Sequence, residues 1–399
     1  MNIQEALSAI RRFEPELIAL RRDLHAHPEL GFEEFRTSAI VAERLRSWGL
    51  EVHDGIAGTG VVATLRGRRP GNRSIALRAD MDALRIHEKT GLPYRSTSPG
   101  RMHACGHDGH TAMLLAAARH LASVPDFAGT VHFVFQPAEE GVGGAARMIA
   151  EGLFERFPAD AVFAMHNQPG RPAGTFGIRK GPLMAAADKW SAAFVGAGGH
   201  GGNAAHLSID PTVPGAAFIS ALQTIVSRNV PALQSAVVSI GYVAAGEAGT
   251  HNVIPTRFMV GGTARSYAPE VRDLIERRLA EIARAAAAIQ NCQVEVEYHR
   301  GPPTVVNASG PTDIAAAAAA ALVGRENVDT QMTPMMAGED FAFMLEERPG
   351  ALIWIGNGHG EDGSFHDLHT ARYDFNDEIV ALGAAYWVSL VGTALADMA

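Results

Sequence analysis

The run Ser74-Ile75-Ala76-Leu77-Arg78-Ala79-Asp80-Met81-Asp82 reads as a buried strand that ends in two carboxylates. Its largely apolar part, Ser74–Ala79, suits a strand covered on both faces, and Asp80 and Asp82 fall where that strand stops. The same arrangement recurs downstream. Thr130–Gln136 runs into Pro137-Ala138-Glu139-Glu140, and Ala161–Met165 runs into His166-Asn167, with the helical pattern Thr111–Leu121 between the first strand and the second. Strand, helix and strand in this order predict a βαβ layout and an α/β fold, with helices on both faces of a mixed central sheet. Ligands of such sheets bind beyond the carboxyl ends of the strands, so these charged groups are expected to meet in one cleft.

Working outward, Glu5–Arg22 and Glu33–Trp48 carry helical periodicity, with Gly49 as a stop, and a further strand is predicted at Gly60–Leu65. From about Pro182 the character changes. The run Gly196-Ala197-Gly198-Gly199-His200-Gly201-Gly202 precedes a helix at Val213–Arg228, strands at Ala236–Val243 and Arg257–Thr263, a helix at Pro269–Ile289 and a strand at Gln293–Tyr298. This predicts an inserted α+β, ferredoxin-like module over residues 182–298, interrupting a domain made of residues 1–181 and 299–399. The α/β pattern then resumes with a helix at Asp313–Val323, a strand at Ala351–Ile355 and a C-terminal helix.

Composition narrows the function classes. Against 34 Lys and Arg stand 43 Asp and Glu, a formal net charge of −9, which disfavours nucleic acid and anionic membrane surfaces as partners. Ile379–Ala396 carries no charge, yet its Gly383, Ser389, Gly392 and Thr393 and its acidic neighbours Asp377 and Glu378 predict a buried helix, not a membrane span. Cys105 and Cys292 are too few for a disulfide framework, and no charged-then-apolar leader opens the chain, so the cytoplasm is the expected compartment.

The chemistry concentrates in Met102-His103-Ala104-Cys105-Gly106-His107-Asp108-Gly109-His110. A single Cys is usually a small buried hydrophobe, and Cys292 is read that way. Around Cys105, however, stand three histidines and an aspartate, each needing its own partner if buried, and a thiolate two residues from an imidazole suits a metal. Adjacent Glu139 and Glu140 repel one another unless something positive lies between them. A metal could take one carboxylate and leave the other as a base, although a solvated loop is the plainer alternative. His166 fits either a ligand or a core histidine bonded to a backbone carbonyl.

Taken in order, these segments resemble the metal-dependent aminoacylase and carboxypeptidase superfamily, in particular its amidohydrolase branch of hippurate hydrolases, N-acyl-amino-acid amidohydrolases and plant auxin-conjugate hydrolases. The resemblance rests on Asp23-Leu24-His25-Ala26-His27-Pro28-Glu29-Leu30, Ala79-Asp80-Met81-Asp82-Ala83-Leu84, Met102–His110, Phe135-Gln136-Pro137-Ala138-Glu139-Glu140-Gly141, Asn252-Val253-Ile254-Pro255, Gly338-Glu339-Asp340-Phe341, and Leu368-His369 followed by Tyr373-Asp374-Phe375-Asn376-Asp377. It implies two divalent metal ions, drawn from Zn, Mn, Co or Ni, held by Cys105, His107, Glu140, His166 and His369. It makes Glu139 the general base and Asp82 an orienting carboxylate. Asp80 replaces a histidine ligand of other branches, and His366 lies close enough to His369 to compete with it, so the part of both residues in the site is left open.

The resemblance further implies that residues 182–298 form a lid and dimerisation domain, in which His200 reaches a partner subunit's active site and polarises the scissile carbonyl. Asn252 and Arg265 would handle the substrate's carbonyl and carboxylate. Arg85, Asn167-Gln168-Pro169 and Gly201-Gly202-Asn203-Ala204-Ala205-His206 depart from the usual family pattern, which bears on substrate preference. The implied reaction is hydrolysis of an N-acyl amino acid, a small-molecule substrate, by a homodimer or higher homo-oligomer. A dipeptidase or carboxypeptidase of the same superfamily, a thiol hydrolase with Cys105 as nucleophile and His107 as base, and a non-catalytic binding protein are the alternatives.

Overall fold

Four strands, Ala128–Gln136, Arg69–Asp80, Ala161–Pro169 and Gly350–Gly358, lie side by side and parallel in the computed structural model, which describes residues 3–359 and 363–396. They form the centre of an eight-stranded mixed sheet. Glu51–Ile56 and Gly60–Arg66 extend it on one side in antiparallel fashion, and Phe176–Gly177 and Val328–Asp329 extend it on the other. Because the central four run the same way, their carboxyl ends share one edge. Asp80 is in register with Gln136, and His166 with Trp354.

The chain divides into two compact units, one made of Met1–Leu183, Val305–Thr333 and Asp340–Ala399, the other of Met184–Thr304 and Pro334–Glu339. The second unit therefore extends past the expected residue 298. Beyond the strand Gln293–His299 the chain stays hydrogen-bonded within that unit, through Gly301 N–H to Asp188 (3.1 Å) and Ala187 N–H to the Pro302 carbonyl (3.1 Å). Pro334–Glu339 joins it because Ala185 N–H donates to the carbonyls of Met335 and Ala337.

In the first unit the expected helix Glu5–Arg22 is two, Ile3–Arg11 and Glu14–Ala26, since Pro15 favours the first turn of a new helix over the interior of an old one. The edge strand Glu51–Ile56 has no apolar pattern to announce it. The helix His107–Ser123 begins ahead of its apolar stretch: His107, Asp108 and His110 are polar yet buried in its opening turns. Its remaining faces, from Ala112 to Leu121, are almost wholly buried, as the all-round apolar sequence requires. The C-terminal helix Val380–Ala394 packs into the same core through Tyr386, Trp387, Val388 and Leu390, and among the described residues no helix is long and apolar enough to cross a membrane.

Charged side chains tie the N-terminal helices to the start of His107–Ser123. Arg21, fully buried, reaches Asp108 (3.3 Å) and Asp377 (2.7 Å), and His25 Nδ1 lies 2.9 Å from the same Asp108. Burial opposes a charge on His25, but Asp108 and Glu88 outweigh it and push its pKa up to about 9.

In the second unit, Ala236–Ala245, Arg257–Ser266, Ala186–Val195 and Gln293–His299 form an antiparallel sheet in that spatial order. The helices Thr212–Leu222 and Pro269–Ala287 share its core, in which Trp190, Phe194, Phe218, Phe258, Ile275 and Leu279 are buried. Arg265 lies within a strand, not after it.

Two outcomes follow for the first unit. Gly109→Ala places a Cβ 2.2 Å from the Phe375 ring, so its denaturation midpoint should fall by the equivalent of roughly 1–3 kcal/mol; an unchanged midpoint contradicts this packing. His25 binds its proton more tightly in the folded chain, so its contribution is whole below the ordinary pKa of about 6.5 and is lost as pH rises through about 9. Midpoints measured across that window should decline in the wild type and decline less in His25→Asn; equal slopes contradict the assignment.

Candidate metal centre

Strand ends, a helix start and a turn place the donors. Gly106 precedes the helix His107–Ser123 with φ 92°, and a Cβ there would lie 2.4 Å from Asn167 Oδ1 and 2.6 Å from Tyr373 OH. Only glycine makes that turn, and it sets Cys105 and His107 on either side of one bend. Cys105 Sγ lies 3.4 Å from His166 Nε2, in the C-terminal half of the strand Ala161–Pro169. His369, at φ 60°, is anchored by its N–H on the Ala104 carbonyl (2.8 Å).

The hydrogen bonds of the histidines show which nitrogen faces inward. His107 Nδ1 donates to Asp82 Oδ1 (3.2 Å), while Asp82 Oδ2 accepts the N–H of Glu140 (3.0 Å). One carboxylate thus orients an imidazole and the loop carrying the second glutamate. His166 Nδ1 donates to the Asn167 carbonyl (2.8 Å), which leaves Nε2 as its lone-pair nitrogen. His369 Nε2 lies 3.2 Å from Glu140 Oε1.

Two buried atoms in this group, His107 Nε2 and Glu140 Oε1, make no hydrogen bond. Burial works against a charge on His107, but Asp80, Asp82 and Glu140 push its pKa up to about 10, and the field responsible is one that attracts a cation. Burial, with His110 and His107 nearby, holds His166 well below the usual range despite Asp80, keeping it neutral as a ligand must be. Donor atoms of Cys105, His107 and His166 lie within 4.8 Å of one another, as do those of Cys105, Glu140 and His369, and those of His107, Glu139 and Glu140. Overlapping triads of thiolate, imidazole and carboxylate fit two divalent ions better than one.

Asp80, His107 and His110 form another such group, but Asp80 and His110 are taken up by each other and by neighbouring side chains. Asp80 Oδ1 meets His110 Nδ1 (2.6 Å), its Oδ2 takes Arg78 (2.7 Å), and His110 Nε2 meets the Asn167 amide. Asp80 is therefore a support beneath the site. His366 is exposed and enters no donor group among the described residues.

Glu139 is half-buried beside these donors, and its Oε1 lies 3.4 Å from the Asp340 N–H. The Asp340 carboxylate is held in turn by Arg78 (3.2 Å), Gln136 (2.7 Å) and Ala145 N–H (2.9 Å). Arg78, His110 and Asp340 drew no role of their own from the sequence, although an arginine within an apolar strand, two residues before a buried aspartate, was a visible signal.

The structure thus brings together Asp82, Cys105, His107, Glu139, Glu140, His166 and His369 in the first unit. His200, Asn252 and Arg265 belong to the second. There His200 pairs with Val253 in a two-stranded ladder, and Gly201 N–H bonds the Asn252 carbonyl (2.8 Å). Arg265 is half-buried, its NH1 on Thr263 and the Ala264 carbonyl.

Residues 76–393 match peptidase family M20/M25/M40. Among curated proteins the chain is 41% identical to hippurate hydrolase of Campylobacter jejuni, over 94% of this chain and 95% of that one. It is 40% identical to N-acetyl-L-cysteine deacetylase of Bacillus subtilis, over 94% and 87%. Among solved structures it resembles the YXEP protein of Bacillus subtilis, described as a dinuclear metal binding peptidase from the M20 family, with TM-score 0.81 and 35% identity over 96% of this chain and 99% of the other. A putative aminohydrolase from methicillin-resistant Staphylococcus aureus superposes with TM-score 0.89 at 31% identity, over 99% and 100%. With its donor set in place and a family match over most of its length, the chain belongs to peptidase family M20/M25/M40 and is a metal-dependent amidohydrolase.

Proposed function

We propose that the enzyme hydrolyses the amide bond of N-acyl amino acids, releasing a carboxylic acid and a free amino acid. The observation that carries this reading is Glu139, a carboxylate set beside an overlapping pair of donor triads. The names of the hippurate hydrolase and N-acetyl-L-cysteine deacetylase relatives support the substrate class. Cys105, His107, Glu140, His166 and His369 would hold two divalent ions, and Zn, Mn, Co or Ni suits such a mixed set. When bound, such ions lower the pKa of a water and polarise a carbonyl.

The chain's own residues supply the rest. Glu139 takes the proton of the attacking water and returns it to the leaving nitrogen, while Asp82 fixes the ring of His107. His200 Nδ1 accepts the N–H groups of Gly202 (3.1 Å) and Asn203 (3.0 Å), which places the ring proton on Nε2 as a donor for the substrate carbonyl. Arg265 pairs with the substrate carboxylate, and Asn252 assists at its carbonyl.

On this reading the second unit, whose strand–helix–strand–strand–helix–strand order is ferredoxin-like, is a lid and dimerisation module, and His200 serves the active site of a partner chain. Its edge strand Ala236–Ala245, without a charged residue and increasingly exposed along its length, is the kind of edge that pairs with another copy. The thiol-hydrolase alternative pairs Cys105 with His107, whereas the thiol meets His166, and it gives Glu139, Glu140 and His369 no task.

Assayed against a panel of N-acyl amino acids, Glu139→Gln should retain metal but lose at least ~10²-fold in kcat; near-normal turnover removes Glu139 as the base. Arg265→Ala should raise KM roughly 10- to 100-fold for N-acyl amino acids, and not for the same compounds with the carboxylate amidated. An equal effect on both removes the proposed carboxylate contact.

A further inference from the structure

A second carboxylate, remote in sequence, bears on where Glu139 and Glu140 point. Glu34 occupies the N-cap position of the helix Phe35–Ser47 but makes no cap bond with its side chain. Glu29 does that work, accepting the N–H groups of Arg36 (2.9 Å) and Thr37 (2.8 Å). Glu34 turns inward, fully buried, where Oε2 accepts the Thr59 hydroxyl (2.6 Å) and Oε1 accepts the N–H of Ala138 (2.8 Å). Among the described residues it forms no salt bridge, and burial pushes its carboxyl above the usual range against the pull of these hydrogen bonds. A buried carboxylate without a cation is costly, and local helix structure does not require this one.

Ala138 is the residue before the two glutamates, and it stands at φ 54° with no solvent exposure. A left-handed backbone at a residue with a Cβ costs roughly 1–3 kcal/mol and persists only where its surroundings hold it. Two hydrogen bonds hold this one, Glu34 on its N–H (2.8 Å) and Gly144 N–H on its carbonyl (3.0 Å), and Gly31 packs so closely that a Cβ there would lie 3.0 Å from the Ala138 Cβ. The torsion at Ala138 sets the direction in which the chain enters Glu139 and Glu140.

We propose that Glu34 is a positioning residue: by holding Ala138 in its left-handed conformation it aims Glu139 at the reacting water and Glu140 at the metal donors. This rests on the roles proposed above for those two glutamates. Glu34→Leu keeps the bulk and removes the acceptor, whereas the amide oxygen of Glu34→Gln still accepts the Ala138 N–H.

The test measures kcat and KM on the N-acyl amino acid panel and zinc affinity by equilibrium dialysis, on variants whose folding is checked by circular dichroism. Glu34→Leu should lose roughly 10- to 100-fold in kcat with little change in KM, and bind at least one zinc about tenfold more weakly, the scale of losing an outer support of a metal ligand. Glu34→Gln should recover most of both. Wild-type kcat and zinc affinity in Glu34→Leu, or equal impairment in Glu34→Gln, overturns the proposal. Should Glu34→Leu not fold, Thr59→Val, which removes one hydroxyl, should shift kcat and zinc affinity in the same direction; no shift overturns it. A wild-type enzyme inert on the whole panel would refute the substrate reading, while the zinc measurement still decides the role of Glu34.

Discussion

Negative charge crowded at the carboxyl ends of parallel strands is the constraint on which the site depends. Asp80, Asp82, Glu139 and Glu140 are brought to one edge of the sheet, and buried like charges tolerate each other only where something positive or donating separates them. The protein meets part of this demand itself. Arg78 bridges Asp80 and Asp340, His110 takes the other oxygen of Asp80, and Asp82 is shared between His107 and the Glu140 N–H. The inward-facing remainder, with His107 Nε2 and Glu140 Oε1 lacking hydrogen bonds, is a set of lone pairs suited to divalent cations.

The same supports explain why the donors sit on rigid elements. Cys105 and His107 are fixed by a glycine turn at a helix start, and that helix is held from behind by the Arg21, His25 and Asp108 cluster. Glu139 and Glu140 follow a strained residue pinned by Glu34. Strain and buried charge, both costly alone, gather around the atoms whose placement matters for chemistry.

The sheet was legible because its central strands are apolar runs ending in polar groups, and the donor cluster because imidazole and carboxylate follow two of those runs while a thiolate stands among histidines before a helix; His369 came only with the family resemblance. What the sequence hid was polar and buried. Arg78 lies inside an apolar strand, His110 inside a run of chemically similar residues, and Glu34 at a helix start where a glutamate needs no special explanation. Their partners are 58, 57 and 104 positions away, in Gln136, Asn167 and Ala138, distances that no local period reveals. The split of the first helix and the charged edge strand Glu51–Ile56 were missed for a different reason: a single proline outweighed periodicity, and the edge strand has no apolar face to signal it.

Elemental analysis of the purified enzyme, with activity followed through chelation and metal restoration, decides whether this charge-balanced cluster is a metal centre. About two divalent ions per chain, with activity lost on chelation and regained on adding metal, is the expected result. Full activity in metal-free protein, abolished by alkylating Cys105, would contradict it and make the thiol the nucleophile.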